Sequence, residues 1–167
     1  MLRIATSMRA LDFGQLCHVY RQSSAEKGAQ DYPDIDMGLQ VLKAEQDFYE
    51  YLQCFLKEPD AFYAVWIADD CYVSALRIEP YKDGVLLEGL ETAPDARRKG
   101  YAAALIYATC SYLADRGSVT VYSHVHKKNA ASIAVHRNAG FEICADHAVF
   151  VDGSVFQDAY TLRFTIK

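Results

Sequence analysis

The sequence predicts an α/β fold with a mixed, mostly antiparallel central sheet of six to seven strands, flanked by about four helices. Runs of β-branched and aromatic residues bounded by turn signals indicate the strands, and runs with apolar residues at helical spacing lie between them. The length of 167 residues suits one ordinary domain, and the 51% hydrophobic content argues against disorder. No linker, repeat or low-complexity tract interrupts the pattern, so we expect a single domain over residues 1–167.

The first part of the chain predicts one short strand and two helices. Leu2–Ala5 suits an edge strand, and Asp12 is placed to cap a helix whose apolar spacing continues to a break near Gly28. The acidic, turn-rich segment 31–36 predicts a loop. Apolar residues at helical spacing then indicate a second helix over Gly38–Lys57.

The remaining chain alternates strands with helices and closes on a hairpin. Strands are predicted over residues 61–68, 71–79, 85–92 and 118–125, and helices over 102–113 and from Asn129 to Gly140. Asp69-Asp70 separates the first two of these strands and indicates a hairpin turn. Two last strands, over 141–151 and 155–165, flank Asp152-Gly153, which is a second hairpin signal.

Composition restricts the partners and the compartment. The formal net charge of −5 disfavours nucleic acid, which binds to basic surfaces. The five cysteines are odd in number and scattered, which favours a reducing cytoplasm. No apolar run reaches eighteen residues, and the Met-Leu-Arg-Ile start lacks the apolar core of a secretion signal. We therefore expect a cytoplasmic protein with no membrane partner.

A basic, glycine-containing turn joins a predicted strand to a predicted helix. It reads Arg97-Arg98-Lys99-Gly100-Tyr101-Ala102. The first N–H groups of a helix lack intrahelical partners and carry the positive end of its dipole, so this turn suits a bound phosphate. The spacing fits neither a nucleotide-hydrolase loop nor a dinucleotide fingerprint. A plainer interpretation is that the basic turn only caps and solubilises the helix.

A second segment makes the interpretation of the basic turn more specific. After the strand over 118–125, the chain reads Asn129-Ala-Ala-Ser132-Ile-Ala-Val-His136-Arg-Asn-Ala-Gly140-Phe141. The basic turn and this segment, in this order and about thirty residues apart, resemble the two cofactor motifs of the GNAT superfamily of N-acetyltransferases. The match departs from the usual pattern at His136, where members of the superfamily commonly carry a tyrosine.

The resemblance implies a fold, a co-substrate and a set of binding residues. The fold would have a central parallel strand pair that splays apart to admit acetyl-coenzyme A, which donates its acetyl group to an amine of a small molecule or a protein. The residues implied for binding it are Arg97, Arg98, Lys99, Gly100, Tyr101 and Ala102 at the pyrophosphate, Thr92 at the thioester carbonyl through a backbone N–H, Asn129 beside the pantetheine or the departing sulfur, and Ser132. We expect no metal. The sequence is compatible with a homodimer.

Glu88 and Glu91 are the candidates for the base that removes a proton from the amine, directly or through water. Their odd separation predicts that they point to opposite faces of the strand, and Glu88 is slightly favoured because it would share a face with Thr92. The alternative for each is a solvated or arginine-paired carboxylate.

His136 is the candidate acid, because an imidazolium donates a proton as a phenol does. Alternatively it only fills space on its helix. His124 and His126 form a pair without a clear third ligand, which disfavours a metal site and favours contact with the substrate or a role as a second-choice base.

The principal function predicted is N-acetyl transfer from acetyl-coenzyme A to a primary amine by direct attack in a ternary complex. The alternative is a non-catalytic acyl-coenzyme A sensor or assembly module with the same fold. The replacement of tyrosine by His136 is the feature that motivates this alternative.

Overall fold

A computed structural model describes residues 1–117 and 120–166. Nine strands are described: β1 Leu2–Ala5, β2 Phe62–Ala68, β3 Cys71–Tyr81, β4 Gly84–Thr92, β5 Thr120–His126, β6 Glu142–Ala145, β7 Ala148–Val149, β8 Val155–Phe156 and β9 Ala159–Thr165. Five α-helices accompany them: α1 Phe13–Val19, α2 Arg21–Asp31, α3 Met37–Phe55, α4 Tyr101–Ala114 and α5 Ala130–Asn138. The first two residues of the strand predicted over 118–125 lie outside the described residues.

Seven of these strands form one mixed sheet in the order β1-β2-β3-β4-β5-β9-β6. Within the described residues, β4 and β5 are its only parallel neighbours, and every other pair is antiparallel. The predicted fold class, a mixed and mostly antiparallel sheet flanked by helices, is confirmed.

The parallel pair is joined only at one end. Val85, Leu86 and Leu87 of β4 pair with residues 121–123 of β5, and the pairing stops before Glu88. The two strands therefore diverge toward the end of β4, and the backbone on that side of its last residues faces an opening in the sheet. This is the splayed pair that the resemblance implied.

Helices cover both faces of the sheet. Leu105 and Ile106 of α4 are fully buried against one face, in a core that includes Leu76 and Leu87. On the other face, α1 and α3 contribute Leu16, Val19, Leu52 and Phe55 to a second core, which also includes Tyr20 from the junction of α1 and α2. The opening between β4 and β5 thus lies between two layers of helix.

The first predicted helix differs from the structure in its continuity and its end. Asp12 caps α1 as expected, since its carboxylate accepts from the backbone N–H of Gln15 at 3.1 Å. The chain then bends at Tyr20 into α2, which continues past Gly28. A Cβ at Gly28 would lie 2.5 Å from the carbonyl oxygen of Gln40, so this glycine allows α2 to pack closely on α3. The predicted break near Gly28 is therefore wrong.

The closing hairpin is also different from the prediction. The segment 141–151 does not form one strand, because β6 joins the main sheet whereas β7 leaves it. β7 and β8 form a separate small ribbon around Asp152-Gly153, and β9 returns to the main sheet beside β5. The turn was correctly located, but the strands that it joins are only two residues long.

No helix in the described ranges has both the length and the apolar character needed to cross a membrane.

Candidate active site

A groove of about 780 Å³ lies where the parallel strands diverge. Its walls come from the end of β4, the turn that follows, the first residues of α4, and parts of α5 and α2. The predicted residues that line it are Glu91, Thr92, Arg97, Arg98, Gly100, Tyr101, Ala102, Asn129 and Ser132. Lys99 belongs to the same turn but is exposed and does not line the groove. The volume lies in the range of ligand sites in proteins.

The start of α4 has a geometry that suits an anion. Gly100 is its N-cap residue and has φ of +82°, and Arg98 has φ of +63°, so the turn uses two left-handed residues to bring the backbone round. Gly100 has no side chain to cap the helix, and the first helical bond runs from Ala104 N–H to the Gly100 carbonyl. The N–H groups of the first turn are therefore available to a ligand such as a pyrophosphate.

The Arg97 side chain is held against the end of β4. Its Nε donates to the carbonyl oxygen of Thr92 at 3.2 Å, and its Nη1 donates to Oε1 of Gln22 at 2.8 Å. These bonds connect the basic turn with β4 and α2 in the lining of the groove. They place a permanent cation beside the N-terminus of α4, which adds to the positive field there.

Asn129 lines the groove and caps α5. Its Oδ1 accepts from the backbone N–H of Ser132 at 3.0 Å, which leaves its NH₂ group without a partner in the described residues. The cap fixes the direction of the side chain at the groove wall. The resemblance implied that Asn129 contacts the pantetheine or the departing sulfur, and the structure brings Asn129 and Ser132 to the same groove as the end of β4.

A bulge changes the geometry of β4 just before the groove. Gly89 has φ of +58°, and Gly89 and Leu90 together oppose the single residue Leu76 of β3. The Tyr20 hydroxyl donates to the carbonyl oxygen of Gly89 at 2.5 Å and ties the bulge to the α1–α2 junction. A glycine inside a strand pattern is itself a bulge signal, and it could have revealed this feature from the sequence.

The bulge places both candidate bases on one face of the strand. Glu88 lies opposite Arg77, and Glu91 lies opposite Ala75, which is two residues from Arg77 on β3. Thr92 pairs with the next residue of β3 and so points to the other face. The predictions that Glu88 and Glu91 point to opposite faces, and that Glu88 shares a face with Thr92, are therefore wrong. The inserted residue adds one step to the alternation.

The two carboxylates have different surroundings. Glu88 Oε2 accepts from Nη2 of Arg77 at 2.9 Å in a largely buried ion pair. Glu91 lines the groove, where burial raises the pKa of its carboxyl, although hydrogen bonding to Ser23 and the charge of Arg97 oppose the shift. A raised pKa makes Glu91 a stronger base than an exposed glutamate. Glu88 corresponds to the arginine-paired alternative.

A second cavity of about 440 Å³ meets the groove at Glu91. Glu91 and Ser23 line both spaces. The other residues of the second cavity come from the α1–α2 junction, α2, α3, β3 and the bulge: Tyr20, Ser24, Lys27, Ala44, Asp47, Phe48, Tyr51, Arg77 and Gly89. They are distant from each other in sequence and fall outside both motifs, so sequence analysis did not bring them together.

His136 lies outside the groove. Its side chain is 1% exposed and packs edge-to-face on Phe141. Nδ1–H donates to the carbonyl oxygen of Ser132 at 2.8 Å, so Nε2 accepts from the Ser123 hydroxyl at 3.0 Å. Burial lowers the pKa of His136, which favours the neutral imidazole. The location contradicts the predicted acid role and agrees with the space-filling alternative.

His124 and His126 also remain apart from the groove. The ring of His124 lies between Tyr81 and Phe150 in edge-to-face contacts, whereas His126 is exposed and its Nδ1 accepts from the backbone N–H of Lys128. In the part of the chain that the structure describes, no three His, Cys, Asp or Glu side chains gather as a metal-binding group.

The arrangement can hold an extended anionic molecule in the groove and a second molecule in the adjoining cavity. A carboxylate with a raised pKa lies at the junction, beside backbone N–H groups of β4 that the divergence of β5 leaves open. Such a site can bring two substrates together and remove a proton from one of them.

Known structures share this fold over nearly the whole chain. PaiA N-acetyltransferase from Thermoplasma acidophilum, solved in complex with coenzyme A, is 15% identical, with a TM-score of 0.69 and 99% of both chains covered. Ribosomal-protein-alanine N-acetyltransferase from Brucella melitensis is 19% identical, with the same TM-score and 99% of both chains covered. The ribosomal-protein-S18-alanine N-acetyltransferase from Escherichia coli is 20% identical, with a TM-score of 0.64, and 100% of this chain and 95% of that chain are covered.

No curated protein matches the sequence significantly. The model of the acetyltransferase (GNAT) family matches residues 29–141, which include β4, the basic turn and the Asn129–Phe141 segment. This match covers more than half of the chain and both cofactor motifs. The chain therefore belongs to the GNAT family of acetyltransferases.

Proposed function

We propose that the protein transfers the acetyl group of acetyl-coenzyme A to a primary amine of a small molecule or a protein, with Glu91 as the base. The observation that carries the proposal is the position of Glu91, which lines both the groove and the second cavity. A group at this junction can reach an amine in the cavity while the acetyl donor lies in the groove.

The residues of the groove would hold the donor, and its thioester supplies the activated acetyl group. The uncapped N–H groups at the start of α4 and the guanidinium of Arg97 suit the pyrophosphate. Asn129 and Ser132 would contact the pantetheine. The backbone N–H near Thr92 would donate to the thioester oxygen, where negative charge develops during attack.

Glu91 would convert the acceptor into a nucleophile. An alkyl ammonium has a pKa near 10, so it must lose a proton before its nitrogen can attack. The raised pKa of Glu91 reduces the unfavourable difference between donor and base. The free amine then attacks the carbonyl carbon, a C–N bond forms and the C–S bond breaks.

The departing thiolate does not require His136. A thiol has a pKa of about 8.5, so a thiolate is a good leaving group near neutral pH. The nitrogen still carries one proton more than the amide product needs, and that proton can pass to the sulfur. Because His136 is buried with both ring nitrogens occupied, we assign it no part in this transfer.

The test is a steady-state assay of free coenzyme A released from acetyl-coenzyme A in the presence of primary amines, combined with calorimetry of coenzyme A binding. We expect amine-dependent release and saturable binding. Binding without turnover over a broad amine panel would favour the sensor alternative. Absence of binding would overturn the assignment of the groove.

A further inference from the structure

The second cavity has an excess of negative charge, although equal numbers of cationic and anionic side chains line it. Two cations and two carboxylates line it, but each cation already has a carboxylate partner. Nζ of Lys27 lies 2.5 Å from Asp31, and Arg77 pairs with Glu88 at 2.9 Å. Neither Asp47 nor Glu91 forms an ion pair within 4.0 Å in the described ranges. The cavity therefore presents two carboxylates that a ligand can neutralise.

Asp47 is held in position by a neutral donor. Its Oδ2 accepts from the Tyr32 hydroxyl at 2.6 Å, and its Oδ1 has no hydrogen-bond partner among the described residues. The nearby ammonium of Lys43 lies over the Tyr32 ring, 5.5 Å from its centroid, and makes no ion pair with Asp47. The carboxylate is thus oriented, and one of its oxygens is free to accept from a ligand cation.

Aromatic side chains form the wall of the cavity beside Asp47 and Glu91. Phe48 follows Asp47 on α3 and packs on Tyr20, with ring centroids 5.2 Å apart. Tyr51 lies one helical turn further and has the guanidinium of Arg77 5.2 Å from its ring centroid. Aromatic rings and two carboxylates in the lining of one cavity suit a chain of methylene groups with a cation at each end.

The charge of the surrounding helices supports the same ligand class. The segment 21–57, which forms α2 and α3, contains seven acidic and four basic side chains. Its excess of three negative charges accounts for more than half of the chain's net charge of −5. A surface of one sign around a cavity raises the local concentration of oppositely charged ligands and their association rate.

We propose that the acceptor is a linear diamine, or a longer amine with at least two ammonium groups. Its reacting nitrogen lies at Glu91, and its distal ammonium donates to Asp47. This proposal rests on the proposed function, because it requires that the second cavity holds the acceptor. It adds Asp47 as a residue that determines specificity without taking part in the chemistry.

The test compares α,ω-diamines with alkyl monoamines of equal chain length, at one pH and ionic strength, with acetyl-coenzyme A saturating. A charge-assisted hydrogen bond to the distal ammonium should raise kcat/KM for the best diamine on the order of tenfold to a hundredfold over its monoamine. Asp47→Asn keeps the size of the side chain and removes its charge. It should abolish this preference, because it raises KM of the diamine far more than KM of the monoamine.

Glu50→Gln is the matched control. Glu50 lies on the same helix, is exposed and is in contact with Gln46, but it does not line the cavity. This variant should preserve the diamine preference. Equal kcat/KM for diamines and monoamines in the wild type, or an equal loss for both in Asp47→Asn, would overturn the diamine proposal alone. Absence of turnover with every amine would instead overturn the proposed function and this inference together.

Discussion

Glu88 and Glu91 carry the same functional group on one face of one strand, and their surroundings separate their roles. Glu88 forms an ion pair with the Arg77 guanidinium. Glu91 is half-buried, has no ion-pair partner in the described residues and lies at the junction of two cavities. Removing a carboxylate from water raises its pKa unless a cation or several donors compensate. Here the compensation from Ser23 and Arg97 is incomplete, so burial prevails.

The raised pKa of Glu91 predicts a pH-dependent gain in stability on substitution. The folded state binds this proton more tightly than the unfolded chain, whose carboxyl has a pKa of about 4.5. The stability from Glu91 is thus fully present below that value and is lost as pH rises through the folded pKa. Glu91→Gln should have a higher Tm than the wild type near neutral pH and an equal Tm near pH 4 in thermal unfolding. A lower Tm at neutral pH would contradict the desolvation argument.

His136 should affect stability and leave the chemistry intact. His136→Phe removes the hydrogen bonds of the Ser123 hydroxyl and the Ser132 carbonyl oxygen, so we expect the free energy of unfolding to fall by about 1–3 kcal/mol in urea titration. The pH profile of kcat should keep its shape at a temperature where the variant is folded. A lost ionisation in that profile would instead place His136 in the proton path.

At the scale of elements, the β4 bulge connects packing with catalysis. The Tyr20 hydroxyl fixes the bulge through the Gly89 carbonyl, and a Cβ at Gly89 would lie 2.8 Å from Nη1 of Arg77. The bulge in turn sets the direction of Glu91 two residues later. The position of the proposed base therefore depends on the position of the α1–α2 junction, through the contact of Tyr20 with the bulge.

Tyr20→Phe should lower kcat about tenfold, which corresponds to roughly 1.4 kcal/mol and to the loss of one hydrogen bond, with KM for acetyl-coenzyme A unchanged. Tyr81→Phe is the matched control, because the Tyr81 hydroxyl also donates to a backbone carbonyl at 2.5 Å, that of Val149, away from the bulge. If both variants lower kcat equally in steady-state assays, Tyr20 has no specific positioning role.

A negative charge introduced at the N-terminus of α4 should weaken coenzyme A binding, and two substitutions of Gly100 separate this effect from backbone strain. Gly100→Gln and Gly100→Glu both place a side chain at φ of +82°, with no atom within 4 Å of the new Cβ. They therefore share the same backbone cost and differ only in charge. Calorimetry should show coenzyme A binding more than tenfold weaker for Gly100→Glu than for Gly100→Gln, with a difference that shrinks at high salt. Equal affinities would show that the pyrophosphate does not lie at this helix end.

At the scale of the whole molecule, features formed by residues close in sequence were predictable, whereas features formed by residues distant in sequence were not. The basic turn and the Asn129 cap depend on neighbouring residues, so their patterns in sequence located two walls of the groove. Counting alternation along β4 failed because Gly89 inserts a residue at the bulge. The second cavity depends on how α2 and α3 pack over β3 and β4, and its residues lie between Tyr20 and Glu91 with no shared motif.

The groove and the second cavity meet at one carboxylate, that of Glu91. The groove lies where β4 and β5 stop pairing after Leu87, and the second cavity lies between α2, α3 and the strands β3 and β4. Glu88 is a carboxylate on the same face of β4, and its partner on β3 lies two residues from the partner of Glu91. Substitution of Glu88 is therefore a close control for substitution of Glu91.

The most direct measurement is kcat/KM for acetyl transfer to a primary amine as a function of pH in the wild type, Glu91→Gln and Glu88→Gln. We predict that the wild-type rate rises with pH through the raised pKa of Glu91. Glu91→Gln should lose about 10²- to 10⁴-fold and that limb of the profile, whereas Glu88→Gln should keep the limb at a temperature where it is folded. Wild-type rates and an unchanged profile in Glu91→Gln would show that Glu91 is not the base.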